Sequence, residues 1–248
     1  MEIPYQIHVH HDKRLKDYLF DFFMLFLAVT LGFFVENQRE SFSDSKKEKA
    51  YIKSFIQDLK EDTNKINLEI GRNNNMVTGL DSLINILYLY KPNDTGIVRR
   101  LYTWYIYYAR NEYIVNFTEP TMEQLKNSGN LRIIRTEVSD SITAYEELIK
   151  YALANEQGYR SNWEKSLDAS CNIFDYRYIR YNVKAADSLR NHVATYKLLN
   201  DDPVLLSKYA TLLELWKQIV IGYSWNLYGV KMKAVSLVPY LKKEYRIE

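Results

Sequence analysis

The chain has 248 residues, 47% hydrophobic and 26% charged, with only 8 Gly and 5 Pro. That scarcity of chain breakers argues against an all-β sandwich or barrel, and the length suits one domain of about 200 residues plus a membrane anchor. The net charge is +2 with Lys and Arg scattered among Asp and Glu, which leaves no basic stripe for nucleic acid; the single cysteine, Cys171, forbids an intrachain disulfide or a cysteine zinc site.

Residues 1–17 form a short basic tail with Lys13, Arg14 and Lys16 near its end. Tyr18 to Val35 then reads YLFDFFMLFLAVTLGFFV, with Asp21 as its one charge. Eighteen residues at 1.5 Å each make a rod of about 27 Å, close to the hydrocarbon thickness of a thin bilayer. A helix greasy on every face, with charged flanks, predicts a transmembrane segment over 18–35. The rival is a cleavable signal peptide, but the small-x-small site Ala28-Val29-Thr30 would cut with five apolar residues still to come. Basic residues lie close to the run on the N-terminal side, whereas the far flank opens with Glu36 before Arg39, Lys46, Lys47 and Lys49. The reading is N-terminus cytoplasmic and C-terminal domain periplasmic in an inner membrane.

Asp21, Leu25, Ala28 and Gly32 step by four, three and four, so they share one helix face. Ala28 and Gly32 form a small-xxx-small pair that lets two membrane helices approach, hence a possible homo-oligomer. Asp21 reads as an interfacial carboxylate favoured by the positive end of the helix dipole, in preference to a proton-carrying acid.

Residues 36–70 read as a polar hinge, Ser41 to Ser45, followed by an amphipathic stalk helix. Ile52, Ile56, Leu59, Thr63, Ile66 and Ile70 alternate steps of four and three, a coiled-coil-like stripe that would pack on the domain or on a second copy. Gly71 and Asn73-Asn74-Asn75 are expected to end that helix, and a second covers Met76 to Tyr90. Residues 71–248 form the soluble helical domain. A third helix, Ile97 to Ala109, is dense in aromatics; a turn region spans Asn116 to Pro120; and a short helix, Met122 to Asn127, stops at Gly129 as a left-handed cap. From Asn130 onward Val138, Ile142, Tyr145, Leu148, Ile149 and Ala152 make one face, with a break expected near Gly158. The region Cys171 to Ala194 is placed only loosely. In the last helix Asp202 caps and Pro203 takes the first position, the apolar face runs from Leu206 to Tyr223, and Pro239 limits its continuation. The class is all-α: an N-terminal transmembrane helix continuing into an amphipathic stalk, then a bundle of long antiparallel helices. The high tyrosine count, 22, fits the core and boundary of such a bundle, with a recognition surface as the alternative.

Chemistry is scarce. His8, His10 and His11 sit in the tail with only Asp12 beside them and read as solvated. His192 has Leu189 three residues before it, so no Glu-x-x-His pair of a di-iron bundle exists there. No nucleophile elbow, phosphate loop or H-E-x-x-H pair occurs. Cys171 with His192 is the one conceivable nucleophile pair, and a buried structural Cys171 is the plainer reading. Glu146 and Glu147 point to different sides of a helix and read as a solvated face. No cofactor, metal or catalytic site is expected.

The stretches FFMLFLAVTLGFFVENQRE and KKEKAYIKSFIQDLKEDT, with TMEQLKNSGNLRIIRTEVSDSITAYEE from Thr121 to Glu147, resemble a family of uncharacterised single-pass bacterial membrane proteins. The resemblance implies a bacterial envelope protein and transfers no functional residue. The expected function is a non-catalytic, membrane-tethered helical interaction or scaffold protein that meets the lipid bilayer and an unknown protein partner. The alternative is a membrane-anchored small-molecule sensor acting through a partner protein.

Overall fold

A computed structural model describes residues 15–92, 94–118, 120–127, 129–179 and 196–248. The helices are α1 Leu15–Tyr88, α2 Thr95–Trp104, α3 Pro120–Asn127, α4 Thr136–Ser170 and α5 Pro203–Tyr245. A wide turn, Tyr105–Ala109, extends α2, and tight single turns occupy Asn130–Ile133 and Tyr176–Tyr178. No strand occurs among the described residues, so the protein is all-α. The chain forms two compact units, Met1–Ala50 and Tyr51–Glu248.

In the first unit the chain is helical through the expected hinge at Ser41 to Ser45. Nothing there breaks a helix: no Gly or Pro intervenes, Arg39 pairs with Glu36 and Lys47 with Asp44 one turn apart, and the Lys46 ammonium lies 4.5 Å from the Phe42 ring centroid.

In the second unit α5 runs antiparallel to both α1 and α4. It follows that α1 and α4 run parallel to each other, as the pairs Asp62–Tyr145 and Asn73–Tyr159 show, and the bundle is not antiparallel throughout as expected. Lys217 of α5 bonds Asp81 of α1, while Asp201, just before α5, accepts from Tyr90, just after α1. Arg135 at the start of α4 reaches Glu244 at the end of α5. The core is built on Ile52, Leu59, Ile66, Leu80 and Leu83 from α1, Ile142 and Tyr159 from α4, and Leu213, Trp216, Val220, Leu227 and Val230 from α5, none of them more than 0% exposed. The period read from α5 is that of its buried face: Leu206, Tyr209, Leu213, Trp216, Val220 and Tyr223 are all buried.

Four expected helix breaks are overturned. The chain does not stop at Gly71 or at Asn73 to Asn75, because the buried Asn73 amide is occupied by distant groups: its Nδ2 donates to the Tyr113 carbonyl at 3.2 Å and its Oδ1 accepts from the Tyr159 hydroxyl at 3.2 Å. An asparagine so engaged does not compete for its own backbone. The separate helix from Met76 is therefore part of α1. Gly158 lies inside an unbroken α4. Pro239 lies inside α5, which continues to Tyr245. The carbonyl that Pro239 leaves without its helical donor belongs to the exposed Val235, and the buried Leu237 and Leu241 hold the helix on either side.

Other expectations stand. Asp202 Oδ1 accepts from the Val204 amide at 2.7 Å as the α5 cap, with Pro203 next. Gly129 adopts φ +65°, the left-handed conformation that a side chain would strain.

Candidate functional site

The apolar run comes first. Its helix contains a window of mean hydropathy 2.1 with none of it buried, so α1 is long and apolar enough to cross a membrane. Phe20, Phe22, Phe26, Phe33 and Phe34 stand between 58% and 73% exposed, an arrangement that water penalises at roughly 25 cal/mol per Å² and hydrocarbon does not. Asp21, Leu25, Ala28 and Gly32 are all exposed on this helix, and a Cβ built on Gly32 would meet open space. Among the described residues nothing buries that face.

The stalk stripe is not. Ile52, Leu59 and Ile66 are fully buried, Ile56 nearly so, and Ile70 packs partly buried against the same core. The stripe is the interior of the second unit, and the expected self-association through it has no surface to use. A stripe with steps of four and three describes any buried helix face, which is why sequence periodicity did not separate the two uses.

The most elaborate polar construction lies around residues 111–118, a non-helical segment whose Val115 is 2% exposed. A partly buried segment outside any helix must find partners for its amides elsewhere. Side chains of three helices supply them. Tyr159 Oη accepts from the Tyr113 amide at 3.0 Å, Tyr223 Oη from the Val115 amide at 3.3 Å, and Asp62 Oδ1 from the Thr118 amide at 2.8 Å. The other Asp62 oxygen accepts from the Tyr145 hydroxyl at 2.8 Å. Burial pushes the Tyr145, Tyr159 and Tyr223 hydroxyls up, Tyr223 to about 12, so all three stay neutral donors and acceptors. Beside them Asp58 is held above the usual carboxylate range, chiefly by burial, with hydrogen bonds from Thr121 opposing that shift.

A second tyrosine cluster fixes the residues after α4. Tyr102 Oη accepts from the Asp175 amide at 2.8 Å and donates to the Lys197 carbonyl at 2.9 Å. Tyr105 shares hydrogen bonds with Ser170 and Tyr176, and its ring stacks on Phe174 with centroids 4.3 Å apart. In these two clusters Tyr102, Tyr105, Tyr145, Tyr159 and Tyr223 are buried. The hydroxyls of Tyr102, Tyr159 and Tyr223 reach backbone groups that a phenylalanine would leave unpaired, and those of Tyr105 and Tyr145 reach side chains. The helical period marks Tyr145 and Tyr223 as buried, whereas the burial of Tyr102, Tyr105 and Tyr159 and the partners of all these hydroxyls depend on residues tens of positions away.

The remaining candidates resolve as follows. Cys171 is exposed, contrary to the expected buried thiol, and its Sγ lies 3.5 Å from the Leu167 carbonyl one turn back. It sits just past the end of α4, exposed between the buried Ser170 and Ile173. His8, His10, His11 and His192 lie outside the described residues. Glu147 is solvated as expected, whereas Glu146 is mostly covered and pairs with Lys126 and Lys150. Among the described residues no group of three or more His, Cys, Asp or Glu is placed to hold a metal. A groove of about 140 Å³ between the end of α1 and the start of α5 is lined by Leu87, Tyr90, Pro92, Asp201 and Leu206, among others. That volume is below the roughly 300–1,000 Å³ of small-molecule sites.

No protein-family model, curated protein or solved structure matches this chain.

Proposed function

We propose that this is a single-pass bacterial envelope protein whose helical domain acts as a non-catalytic interaction or scaffold module. The observation that carries the reading is the fully exposed apolar run from Tyr18 to Val35 in a chain whose other unit has a well-filled polar-tipped core. One part of the chain is built for hydrocarbon and the other for water. The buried polar side chains of Tyr159, Tyr223 and Asp62 serve the backbone of residues 111–118. The proposed orientation, N-terminus cytoplasmic and C-terminal domain periplasmic, rests on the basic tail.

The test is extraction of membranes from expressing cells with alkaline carbonate, together with protease treatment of spheroplasts. The full chain stays in the pellet until detergent is added, and its C-terminal domain is digested from outside. Release of full-length protein by carbonate alone overturns the anchor; a protected C-terminus overturns the orientation.

A further inference from the structure

The outer face of α5 has a construction that the fold of one chain does not use. Gln218, Ile221, Trp225, Tyr228, Met232, Val235 and Pro239 step by three and four along it. Trp225 is 69% exposed, and Tyr228, Met232 and Val235 between 45% and 48%. On the same face stand Gly222 and Gly229, seven residues apart, and a Cβ built on either would meet open space. A glycine inside a helix is unfavourable unless something approaches the backbone closely, and among the described residues nothing comes within 4 Å of where either Cβ would stand. Gly79 provides the contrast: there the Tyr108 ring occupies the place of the missing side chain.

We propose that this face binds a second copy of the chain, α5 against α5 in antiparallel register, about a two-fold axis between Tyr228 and Gly229. The inference extends the interaction reading above by naming a partner, but does not depend on the membrane anchor. Size and charge set the register. Around that axis each Tyr228 lies over the partner copy's bare Gly229, Val235 over Gly222, and Trp225 meets Met232, so both open glycine positions receive a large exposed side chain. At the two ends Glu214 comes opposite Lys243, two ion pairs by symmetry. Lys243 is exposed, and the Glu214 side chain is 45% exposed. Glu214 now bonds Lys217 and Gln218, and Lys217 keeps Asp81 if Glu214 turns outward. From Gln218 to Pro239 the stepping residues carry no charge, so no like charges meet. Antiparallel helices also oppose their dipoles favourably. A pattern that reads the same from both ends is the mark of an isologous contact.

The full chain is purified in detergent in a Cys171→Ser background and oxidised mildly. Gly229→Cys forms a disulfide-linked dimer. Trp225→Cys does not link to itself but links to Met232→Cys when the two variants are mixed. Glu214→Lys or Lys243→Glu raises the dimer dissociation constant about tenfold, and the double charge swap returns it to within about threefold of the parent. Gly32→Leu leaves all of this unchanged. Absence of the Gly229→Cys dimer from protein that retains its helical circular dichroism overturns the proposal, as does self-linking of Trp225→Cys or a charge swap that fails to restore. A carbonate-resistant pellet with no cross-link removes this contact and leaves the anchor standing; a cross-linked dimer released by carbonate does the reverse.

Discussion

The Tyr145 hydroxyl donates to Asp62 Oδ2 at 2.8 Å, with both residues almost wholly shut off from solvent. The second Asp62 oxygen holds the Thr118 amide, so one carboxylate ties α1 and α4 to the non-helical segment. Removing it strands two donors at once, the buried Tyr145 hydroxyl and the partly buried Thr118 amide. Asp62→Ala is expected to cost about 2–4 kcal/mol of stability and Tyr145→Phe about 1–2 kcal/mol. A double-mutant cycle by urea unfolding measures the coupling. Additive losses would mean that the hydrogen bond contributes nothing of its own.

Gly79 lies beneath the Tyr108 ring, which occupies the place where a Cβ would stand. The ring itself stacks on Trp104 with centroids 5.1 Å apart, so it has little freedom to retreat. Gly79→Ala is expected to destabilise the protein by about 1–3 kcal/mol through overpacking, despite the better helix propensity of alanine. Combining it with Tyr108→Ala should recover part of that loss. A thermal midpoint unchanged by Gly79→Ala alone would contradict the close approach.

Burial, and then the hydrogen bond to Asp201, push the Tyr90 hydroxyl up to about 12. An unfolded tyrosine ionises near about 10, so the fold favours the neutral phenol. That contribution is full below the unfolded value and is lost as pH rises from about 10 towards 12. Stability measured across this range should fall less steeply in Tyr90→Phe than in the parent. Identical slopes would show that Tyr90 titrates as an ordinary surface group.

Pro239 interrupts the hydrogen-bond ladder of α5 at an exposed position. Pro239→Ala restores a donor for the Val235 carbonyl and should stabilise the protein by about 1–2 kcal/mol, less than the full proline penalty because the helix is already adapted to the ring. Loss of stability in this variant would mean that the ring packs on something the single chain does not contain.

The sequence by itself determined the helical class, the apolar run from Tyr18 to Val35, the Asp202-Pro203 start of the last helix, the Gly129 cap and the buried face of α5. These are local matters: composition, period and capping chemistry act within a few residues. Tertiary structure decided the rest. The stripe from Ile52 to Ile70 is equally suited to a domain core or a second copy, and only the arrival of the other helices assigned it to the core. Asn73 reads as a helix stop until Tyr113 and Tyr159 engage its amide. Pro239 reads as an end until Leu237 and Leu241 anchor the turns around it. In each case the local preference is worth about 1–3 kcal/mol, which burial of neighbouring side chains and satisfaction of distant polar groups can outweigh.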